Sequence, residues 1–162
     1  VIRLYNLISK SQKKKSLRGN DKGFSKGTIY PSKTFSTLGG TTINLQNNSS
    51  KGTIVIATTS NCDACKTLYP SLGELESSYS DFQVLNLFFS PKEAAYNTME
   101  KYNINSNTIV IGDIKKVEEL GIAGFPFAYL LSDKGRVIEK GFVNFKKDLD
   151  LLVSFSRNKK AS

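Results

Sequence analysis

Two hydrophobic stretches, each followed by a helical pattern, place the strongest constraint on what this chain can fold into. The stretches are GTIVIATTS (52–60) and FQVLNLFFS (82–90), and their composition is typical of strands buried on both faces of a sheet. The first precedes a helix predicted over 63–79, with a kink at Pro70. The second precedes a helix predicted to about Tyr102, with Ser90 as N-cap and Pro91 in the first turn. This alternation predicts an α/β domain with a mixed central sheet flanked by helices.

Shorter patterns complete the predicted domain. They are two extended pieces around Gly39-Gly40, a strand in NTIVIGD (107–113), a helix from about Ile114 to Gly121, a hairpin in FAYLLSDKGRVIEKGF (127–142) and a last helix over 145–155. We assign 29–156 to this domain and 157–162 to a tail. Residues 1–28 form a separate basic segment, which is either a flexible linker or a juxtamembrane stalk.

The charge distribution argues against nucleic-acid binding. The net charge is +9, but residues 1–26 hold eight lysines and arginines against Asp21 alone, so +7 of it lies in this segment. The rest of the chain is close to neutral. Without a broad basic face on the folded domain, we expect no nucleic-acid partner.

The absence of histidine restricts the chemistry further. The sequence has no histidine and two cysteines. Ser-His and Cys-His catalysis are therefore excluded, as are metal sites that need imidazole. Two cysteines also cannot complete a four-thiolate zinc site within one chain. We expect no metal and no cofactor other than a redox-active disulfide.

The two cysteines are the strongest functional candidates. Cys62 follows a predicted buried strand, and Cys65 lies in the first turn of the next helix. The helix dipole and the free N–H groups at that position favour a thiolate at Cys62, which would attack disulfides, while Cys65 would resolve the mixed disulfide. An inert disulfide is the alternative, but a loop this short constrains the unfolded chain only weakly. A redox pair is therefore favoured over a structural disulfide or a metal site.

The sequence around this pair resembles the thioredoxin-fold thiol–disulfide oxidoreductases. NCDACKTLYP (61–70) looks like their active site, and GIAGFPFAYLLSDKGRVIEKGFVN (121–144) looks like their cis-proline loop and final hairpin. The N-terminal hairpin and the SDKGRVIEKG turn are most similar to the TlpA-like group, which is membrane-anchored and extracytoplasmic. KGFVNFKKDLDLL (140–152) is similar to the MauD-type proteins. The resemblance covers about 29–153 and implies a thioredoxin-like fold with an N-terminal β-hairpin extension.

The resemblance also implies roles for particular residues. Cys62 would be the attacking thiolate and Cys65 the resolving thiol. Pro126 would be the cis-proline, and Phe125 would offer backbone groups to an extended partner peptide. The chain departs from thioredoxins at Ile56, where they have a buried acid.

The residues between and beside the cysteines would tune the redox chemistry. Strong oxidases of this fold usually carry a histidine between the cysteines, whereas Asp63 and Ala64 stand here. A carboxylate next to Cys62 is expected to raise the pKa of its thiol, and Lys66 offsets part of this effect. We therefore predict a reductase or isomerase.

The resemblance implies partners and a location as well. The substrate would be a protein thiol or disulfide, and a membrane thiol reductant or oxidant would recycle the pair. The protein would be bacterial and extracytoplasmic, tethered by a segment N-terminal to Val1. Two other functions stay open: a peroxiredoxin-like thiol peroxidase, because Thr59 and Cys62 fit the Thr-x-x-Cys part of such a site, and a non-catalytic binding module with a structural disulfide.

Overall fold

The computed structural model describes residues 16–46, 49–104 and 107–161, with side chains described up to Ser156. Its strands are β1 (Thr34–Ser36), β2 (Thr42–Asn44), β3 (Gly52–Thr59), β4 (Gln83–Phe89), β5 (Asn107–Ile111), β6 (Phe127–Ser132) and β7 (Val137–Phe142). Its helices are α1 (Asp63–Leu72), α2 (Leu75–Ser78), α3 (Lys92–Lys101), α4 (Lys115–Glu119) and α5 (Lys146–Ala161). None of the helices in these ranges is long and apolar enough to span a membrane.

The predicted mixed sheet is confirmed, with five strands in the order β5-β4-β3-β6-β7. Strands β3, β4 and β5 are parallel, and β6 runs antiparallel to both β3 and β7. The carboxyl ends of β3, β4, β5 and β7 therefore lie at one end of the sheet, together with the start of β6. We call this the site end. Strand β3 lies in the middle and is buried from Gly52 to Thr58, which explains its near-continuous apolar sequence.

One face of the sheet, which we call the helix face, is covered by helices. Its side chains include Ile54, Ile56, Phe88 and Leu130, which pack with apolar residues of α1, α2, α3 and α5. The spacing of the apolar residues in α1 places Cys65, Leu68, Tyr69 and Leu72 on its buried side. This is the arrangement that the helical patterns predicted.

The predicted single helix over 63–79 is wrong, because the structure has two helices. Pro70 lies inside α1, and the helix ends at Leu72 with Gly73 as its C-cap. A Cβ atom on Gly73 would lie 2.9 Å from the carbonyl oxygen of Tyr102. The break therefore comes where the backbone approaches another segment too closely for a side chain, and the sequence pattern gave no sign of that contact.

The predicted N-cap of the next helix is also wrong. Pro91, with φ −58° and ψ 147°, is the N-cap of α3. The N–H of Ser90 donates to the carbonyl of Ile111 at 3.0 Å, and its hydroxyl donates to the carbonyl of Pro91. Ser90 is therefore held by the β5 backbone and cannot cap the helix.

The last helix is longer than predicted. It begins at Lys146, where the carboxylate of Asp148 accepts from the N–H groups of Asn144 and Phe145 at 2.9 and 3.1 Å. It continues to Ala161, so the predicted division between the domain and a tail at residue 157 falls inside a helix. The two predicted hairpins are confirmed as β1–β2 and β6–β7.

The other face of the sheet, which we call the hairpin face, is covered mainly by non-helical segments. Apolar residues of the β1–β2 hairpin and α4 pack there with Tyr30 and Tyr129. The hydroxyl of Tyr30 donates to the carbonyl of Leu120 at 2.8 Å, and Tyr129 donates to the carbonyl of Gly121. Hydrogen bonds from buried tyrosines thus hold the chain where helices are few.

Residues 16–28, predicted to be part of a separate flexible or juxtamembrane segment, instead pack on the domain. Leu17 is buried on the helix face, and the carbonyl of Arg18 accepts from the N–H of Phe142 in β7 at 2.8 Å. Phe24 then reaches the hairpin face, where its ring lies 5.9 Å from that of Tyr129. The segment wraps around the edge strand β7 and satisfies part of its backbone. The remainder of the predicted segment, 1–15, lies outside the described residues.

Candidate functional site

Cys62 and Cys65 lie at the site end, where β3 passes into α1. Cys62 is the N-cap of α1, with extended backbone at φ −138° and ψ 110°. The two residues form a disulfide, and their Cα atoms are 5.2 Å apart. The N–H of Cys65 points at the sulfur of Cys62, at an N–Sγ distance of 3.1 Å. A free helix N–H is thus directed at the atom that would carry negative charge in a reduced pair.

The two sulfur-bearing residues differ in exposure. Cys65 is completely buried on the helix face, whereas Cys62 is only half-buried. A reagent from solution can therefore reach Cys62 but not Cys65. This asymmetry is what an attacking thiol and a resolving thiol require.

The loop opposite the disulfide is the one that the sequence resemblance singled out. The peptide bond between Phe125 and Pro126 is cis, as predicted. The carbonyl oxygen of Phe125 lies 3.9 Å from the sulfur of Cys62. Pro126 is buried, and its carbonyl accepts from the N–H of Val143 at 3.1 Å. The N–H and carbonyl of Phe125 form no backbone hydrogen bond with the rest of the described chain, so both can serve a bound peptide.

The predicted tuning residues lie on the surface beside the pair. Asp63, Ala64 and Lys66 are all exposed. The Lys66 ammonium lies 3.5 Å from the Asp63 carboxylate. An ion pair exposed in this way is strongly screened by water, so its effect on the neighbouring sulfur is small.

Tyr69 is a supporting residue that the sequence analysis did not single out as a site residue. Its hydroxyl donates to the carbonyl of Thr59 at 2.9 Å, which ties α1 to the end of β3 around the cysteine turn. Its ring stacks on Phe88 and contacts Tyr102. Burial, with a smaller contribution from Tyr102, raises the pKa of Tyr69 to about 12. Tyr69 follows Cys65 by four residues, which places both on the same side of the helix, and this spacing could have identified Tyr69 from the sequence.

Two polar side chains are buried near the middle of the sheet without hydrogen-bond partners in the described part of the chain. They are Thr58, through its hydroxyl, and Asn86, through both atoms of its amide. Asn86 lies directly beside Ile56 in the β3–β4 register. Ile56 is the position at which thioredoxins have a buried acid. Single-strand patterns gave no sign of this neighbour, because it depends on the register between strands.

The hydroxyl of Thr59 is already engaged. It donates to the carbonyl of Phe89 at 2.7 Å, across the β3–β4 pair. In the peroxidase interpretation this hydroxyl would have to serve the chemistry at Cys62. The observed hydrogen bond gives that interpretation no support.

The described residues offer no cluster of three or more histidine, cysteine, aspartate or glutamate side chains that could hold a metal ion. The pair itself therefore defines the candidate site, together with the Phe125–Pro126 loop.

No protein-family model matches the chain, and no curated protein matches it. Solved structures do match. The thioredoxin domain of a thiol-disulfide oxidoreductase from Bacteroides vulgatus is 19% identical; the match covers 82% of this chain and 99% of that chain, with a TM-score of 0.68. A thiol:disulfide interchange protein from Bacteroides sp. is 18% identical over 79% of this chain and 88% of that chain, with a TM-score of 0.63.

A third similar structure is a secreted disulfide oxidoreductase of Mycobacterium tuberculosis, homologous to DsbE of E. coli. It is 16% identical, and the match covers 74% of this chain and 94% of that chain, with a TM-score of 0.58. At these identities the likeness shows the fold. The chain has a thioredoxin-like fold with an N-terminal hairpin, as predicted.

Proposed function

We propose that this chain is a thiol–disulfide oxidoreductase that exchanges its Cys62–Cys65 pair with disulfides of other proteins. The observation that carries the proposal is the asymmetry of the pair. Cys62 is half-buried at a helix start and faces the cis Phe125–Pro126 loop, while Cys65 lies fully buried behind it. The named activities of the structural neighbours support the same reaction.

The reaction proceeds in two exchange steps. In the reduced protein, the Cys62 thiolate attacks one sulfur of the partner's disulfide, and the partner's other sulfur leaves as a thiolate that takes up a proton. The Cys65 thiol then loses its proton and attacks the Cys62 sulfur. This step forms the Cys62–Cys65 disulfide and releases the partner's second thiol. The partner gains two electrons and two protons, which the protein's dithiol loses.

The local structure favours Cys62 as the first nucleophile. The N–H of Cys65 is 3.1 Å from its sulfur, and the start of α1 adds a positive partial charge. Both stabilise a thiolate relative to a thiol. Cys65 is fully buried, so it cannot meet the partner directly and reacts with the Cys62 sulfur only after the mixed disulfide has formed.

The Phe125–Pro126 loop would bind the partner. An extended peptide beside Cys62 can form hydrogen bonds with the N–H and carbonyl of Phe125, since neither forms a backbone hydrogen bond with the rest of the described chain. Such bonds recognise any backbone and leave the side chains of the partner free to provide specificity.

The direction of electron flow is part of the proposal. No histidine lies between the cysteines, and Asp63 places a carboxylate beside Cys62. The missing histidine removes a group that stabilises the thiolate in strong oxidants of this fold, and the exposed Asp63 carboxylate adds a small effect in the same direction. We therefore assign the protein a reducing or isomerising role, with a reduction potential of about −270 to −220 mV.

The location and the second partner are proposals as well. A secreted structural neighbour supports an extracytoplasmic site of action. A tether N-terminal to Val1, and a membrane protein that exchanges electrons with the pair, follow from the resemblance to TlpA-like proteins alone.

The proposal is tested by the reduction of insulin disulfides with dithiothreitol. The wild-type protein should accelerate the reaction in proportion to its concentration, and a Cys62→Ser, Cys65→Ser double variant should not. Equal rates for the two proteins would mean that the Cys62–Cys65 disulfide is structural and not catalytic. Consumption of hydrogen peroxide by the reduced protein, without insulin reduction, would favour the peroxidase instead.

A further inference from the structure

Thr58 and Asn86 place polar atoms in the core of the sheet, among apolar neighbours. Both side chains are 0% exposed. Neither the Thr58 hydroxyl nor the two polar atoms of the Asn86 amide have a hydrogen-bond partner within the described residues. A buried polar group without a partner weakens a fold, so its presence needs an explanation. We call these two residues the buried polar pair.

The alternation of side chains along the strands places the pair on the helix face. Ile56 of β3 and Phe88 of β4 both lie on that face. Thr58 is two residues beyond Ile56, and Asn86 is two residues before Phe88, so both belong to the same face. The helix face also buries Cys65. The pair therefore shares a face of the sheet with the resolving cysteine.

The contacts of Tyr69 place α1 over one side of Thr58. Phe88 is the register neighbour of Thr58 in β4, and the ring of Tyr69 stacks on Phe88 with 5.9 Å between the ring centroids. The Tyr69 hydroxyl reaches the carbonyl of Thr59, the next residue of β3, at 2.9 Å. Tyr69 thus extends from β4 to the end of β3. Cys65 precedes it by about one helical turn on the same buried side of α1.

The disulfide lies on the other side of Thr58. There β3 is followed by β6, and the loop before β6 carries the Phe125 carbonyl, 3.9 Å from the sulfur of Cys62. Cys62 is bonded to Cys65. The sulfur of Cys65 therefore lies over the end of β3, between this loop and Tyr69. Thr58 is the last residue of β3 whose side chain points to that face.

Asn86 lies one strand away from Thr58 and two residues further from the site end. It is paired with Ile56 in the register between β3 and β4. With about 4.8 Å between strands and about 3.3 Å per residue, the Cα atoms of Asn86 and Thr58 are about 8 Å apart. The two side chains are diagonal neighbours on the helix face. Together they add a hydroxyl and an amide to an otherwise apolar surface beneath α1.

The resolving step creates a need for hydrogen-bond donors at Cys65. In that step the Cys65 thiol gives up its proton, and its sulfur bonds to the Cys62 sulfur. The partner's sulfur leaves with the electron pair of the broken bond and takes up a proton. A negative charge that develops in an apolar core is unstable unless donors face it. In the disulfide form Cys65 carries no charge, and the donors of the buried polar pair have no acceptor.

We propose that the Thr58 hydroxyl and the Asn86 amide stabilise the Cys65 thiolate as it attacks the mixed disulfide. The proposal rests on the thiol–disulfide exchange proposed above and adds the residues that make the buried cysteine reactive. Thr58 has the larger role because it lies nearer to the site end. The polar atoms are without partners in the disulfide form because their acceptor exists only during the resolving step.

Stopped-flow absorbance with Ellman's reagent separates the two exchange steps. Cys62 of the reduced protein attacks the reagent and releases one coloured thionitrobenzoate, at a rate that rises with the reagent concentration. Cys65 then attacks Cys62, releases the second thionitrobenzoate and loses its proton to water, at a rate that does not depend on the reagent concentration. Mass spectrometry verifies that the product is the disulfide without bound thionitrobenzoate.

Thr58→Val should slow the second phase at least about tenfold and Asn86→Leu at least about threefold, because each removes a hydrogen bond to a developing charge. The first phase should change less than about twofold, since Cys62 has its own donor in the N–H of Cys65. Thr58→Ser keeps the hydroxyl and should restore the wild-type second phase. The denaturation midpoints of Thr58→Val and Asn86→Leu should equal or exceed that of the wild-type protein, because each variant loses a buried polar group without a partner.

Thr53→Val is the matched control. Thr53 is also fully buried in β3, but it lies at the opposite end of the strand, and its hydroxyl accepts from the Gln83 amide at 3.0 Å. The same substitution there should lower the denaturation midpoint, because the Gln83 amide loses a partner. Both phases of colour release should keep their wild-type rates.

A wild-type second phase in Thr58→Val and Asn86→Leu would overturn the proposal. Equal slowing of both phases would also overturn it, as would a loss of stability as large as that of Thr53→Val, because either result would indicate a structural role. Absence of any colour release by the wild-type protein would instead contradict the exchange activity itself.

Discussion

The two faces of the central sheet are built in different ways. The helix face is covered by helices whose apolar residues recur at helical spacing, and it buries Cys65. The hairpin face is covered by a short two-stranded sheet, by α4 and by the irregular segment around Phe24. The hydroxyl of Tyr129 accepts from the backbone of Phe24, and the hydroxyl of Tyr30 donates to the backbone of Leu120. The chemistry therefore depends on the helix face, which holds Cys65, while the hairpin face closes the core around it.

We therefore expect that substitutions can change stability and redox activity independently, depending on where they lie. A substitution on the hairpin face should weaken the fold without changing the rate of disulfide exchange in the folded protein. A substitution beside the cysteines should change the exchange reaction with little effect on stability.

Tyr129→Ala should produce the largest loss of stability. The Tyr129 ring packs against Phe24, Tyr30 and Phe127, and its hydroxyl accepts from the N–H of Phe24 at 3.0 Å. We expect the free energy of unfolding to fall by about 3–5 kcal/mol for alanine and by about 1–2 kcal/mol for phenylalanine. Chemical denaturation measures both, and insulin reduction by the folded fraction should stay at the wild-type rate. Loss of exchange at unchanged stability would refute the separation.

Leu17→Ala tests whether the segment 16–28 belongs to the fold. Leu17 is 3% exposed and lies against Gly141, where a Cβ atom would come within 2.5 Å of the Leu17 Cβ. The alanine variant should lose about 2–4 kcal/mol of unfolding free energy. Lys22→Ala, an exposed residue of the same segment, should change it by less than about 0.5 kcal/mol. Equal small effects would mean that the segment does not stabilise the domain.

The buried tyrosines predict a loss of stability at high pH. Burial raises the pKa of Tyr30 above the usual value of 10.0, and Tyr129 adds to the rise. A raised pKa means that the folded state keeps the phenol proton longer than the unfolded chain does. The stabilisation is therefore complete below about pH 10 and decreases as the pH rises, by about 1.4 kcal/mol per pH unit for each such tyrosine.

Denaturation curves between about pH 9 and pH 12 measure this slope. Tyr30→Phe should show a smaller slope than the wild-type protein, because it removes one titrating group from the hairpin face. Tyr69→Phe should act in the same direction on the helix face, since the pKa of Tyr69 is raised to about 12. Identical slopes for all three proteins would show that neither phenol is protected by the fold.

Asp63→Asn should have the smallest effect of these substitutions, and it should change the redox reaction rather than the stability of the fold. Removal of the carboxylate beside Cys62 stabilises the thiolate, and thus the reduced form, so the reduction potential should rise by about 5–20 mV. Lys66→Ala should shift it in the opposite direction, because the ion pair of Lys66 with Asp63 is lost. Equilibration with glutathione measures the potential, and the stability of both variants should match that of the wild-type protein. Shifts of the same sign would contradict the electrostatic cause.

The helix face and the position of the cysteines could be predicted because their signals are local. Each signal lies within one short stretch of sequence: the β-branched run of β3, the spacing of Cys65, Leu68 and Leu72 in α1, and the residues around Pro126. The family resemblance carried by the cysteine and proline stretches implied the thioredoxin-like fold and the cis peptide bond, and both are confirmed.

The remaining features depend on contacts between distant segments. Helix α1 ends at Gly73, where a side chain would meet the backbone of Tyr102. Leu17 is buried against Gly141 of β7. The contact between Asn86 and Ile56 depends on the register between β3 and β4. No periodicity within one segment encodes such pairings, so the sequence analysis placed 16–28 outside the domain and joined α1 to α2.

The central claim is that Cys62 attacks and Cys65 resolves, and trapping of the mixed disulfide tests it most directly. Reduced Cys65→Ser and Cys62→Ser variants are each mixed with insulin, and the covalent adducts are measured by mass spectrometry under non-reducing conditions. We predict that Cys65→Ser accumulates an adduct through Cys62, whereas Cys62→Ser forms almost none because Cys65 is buried. Equal adduct formation by both variants, or none by Cys65→Ser, would contradict this account.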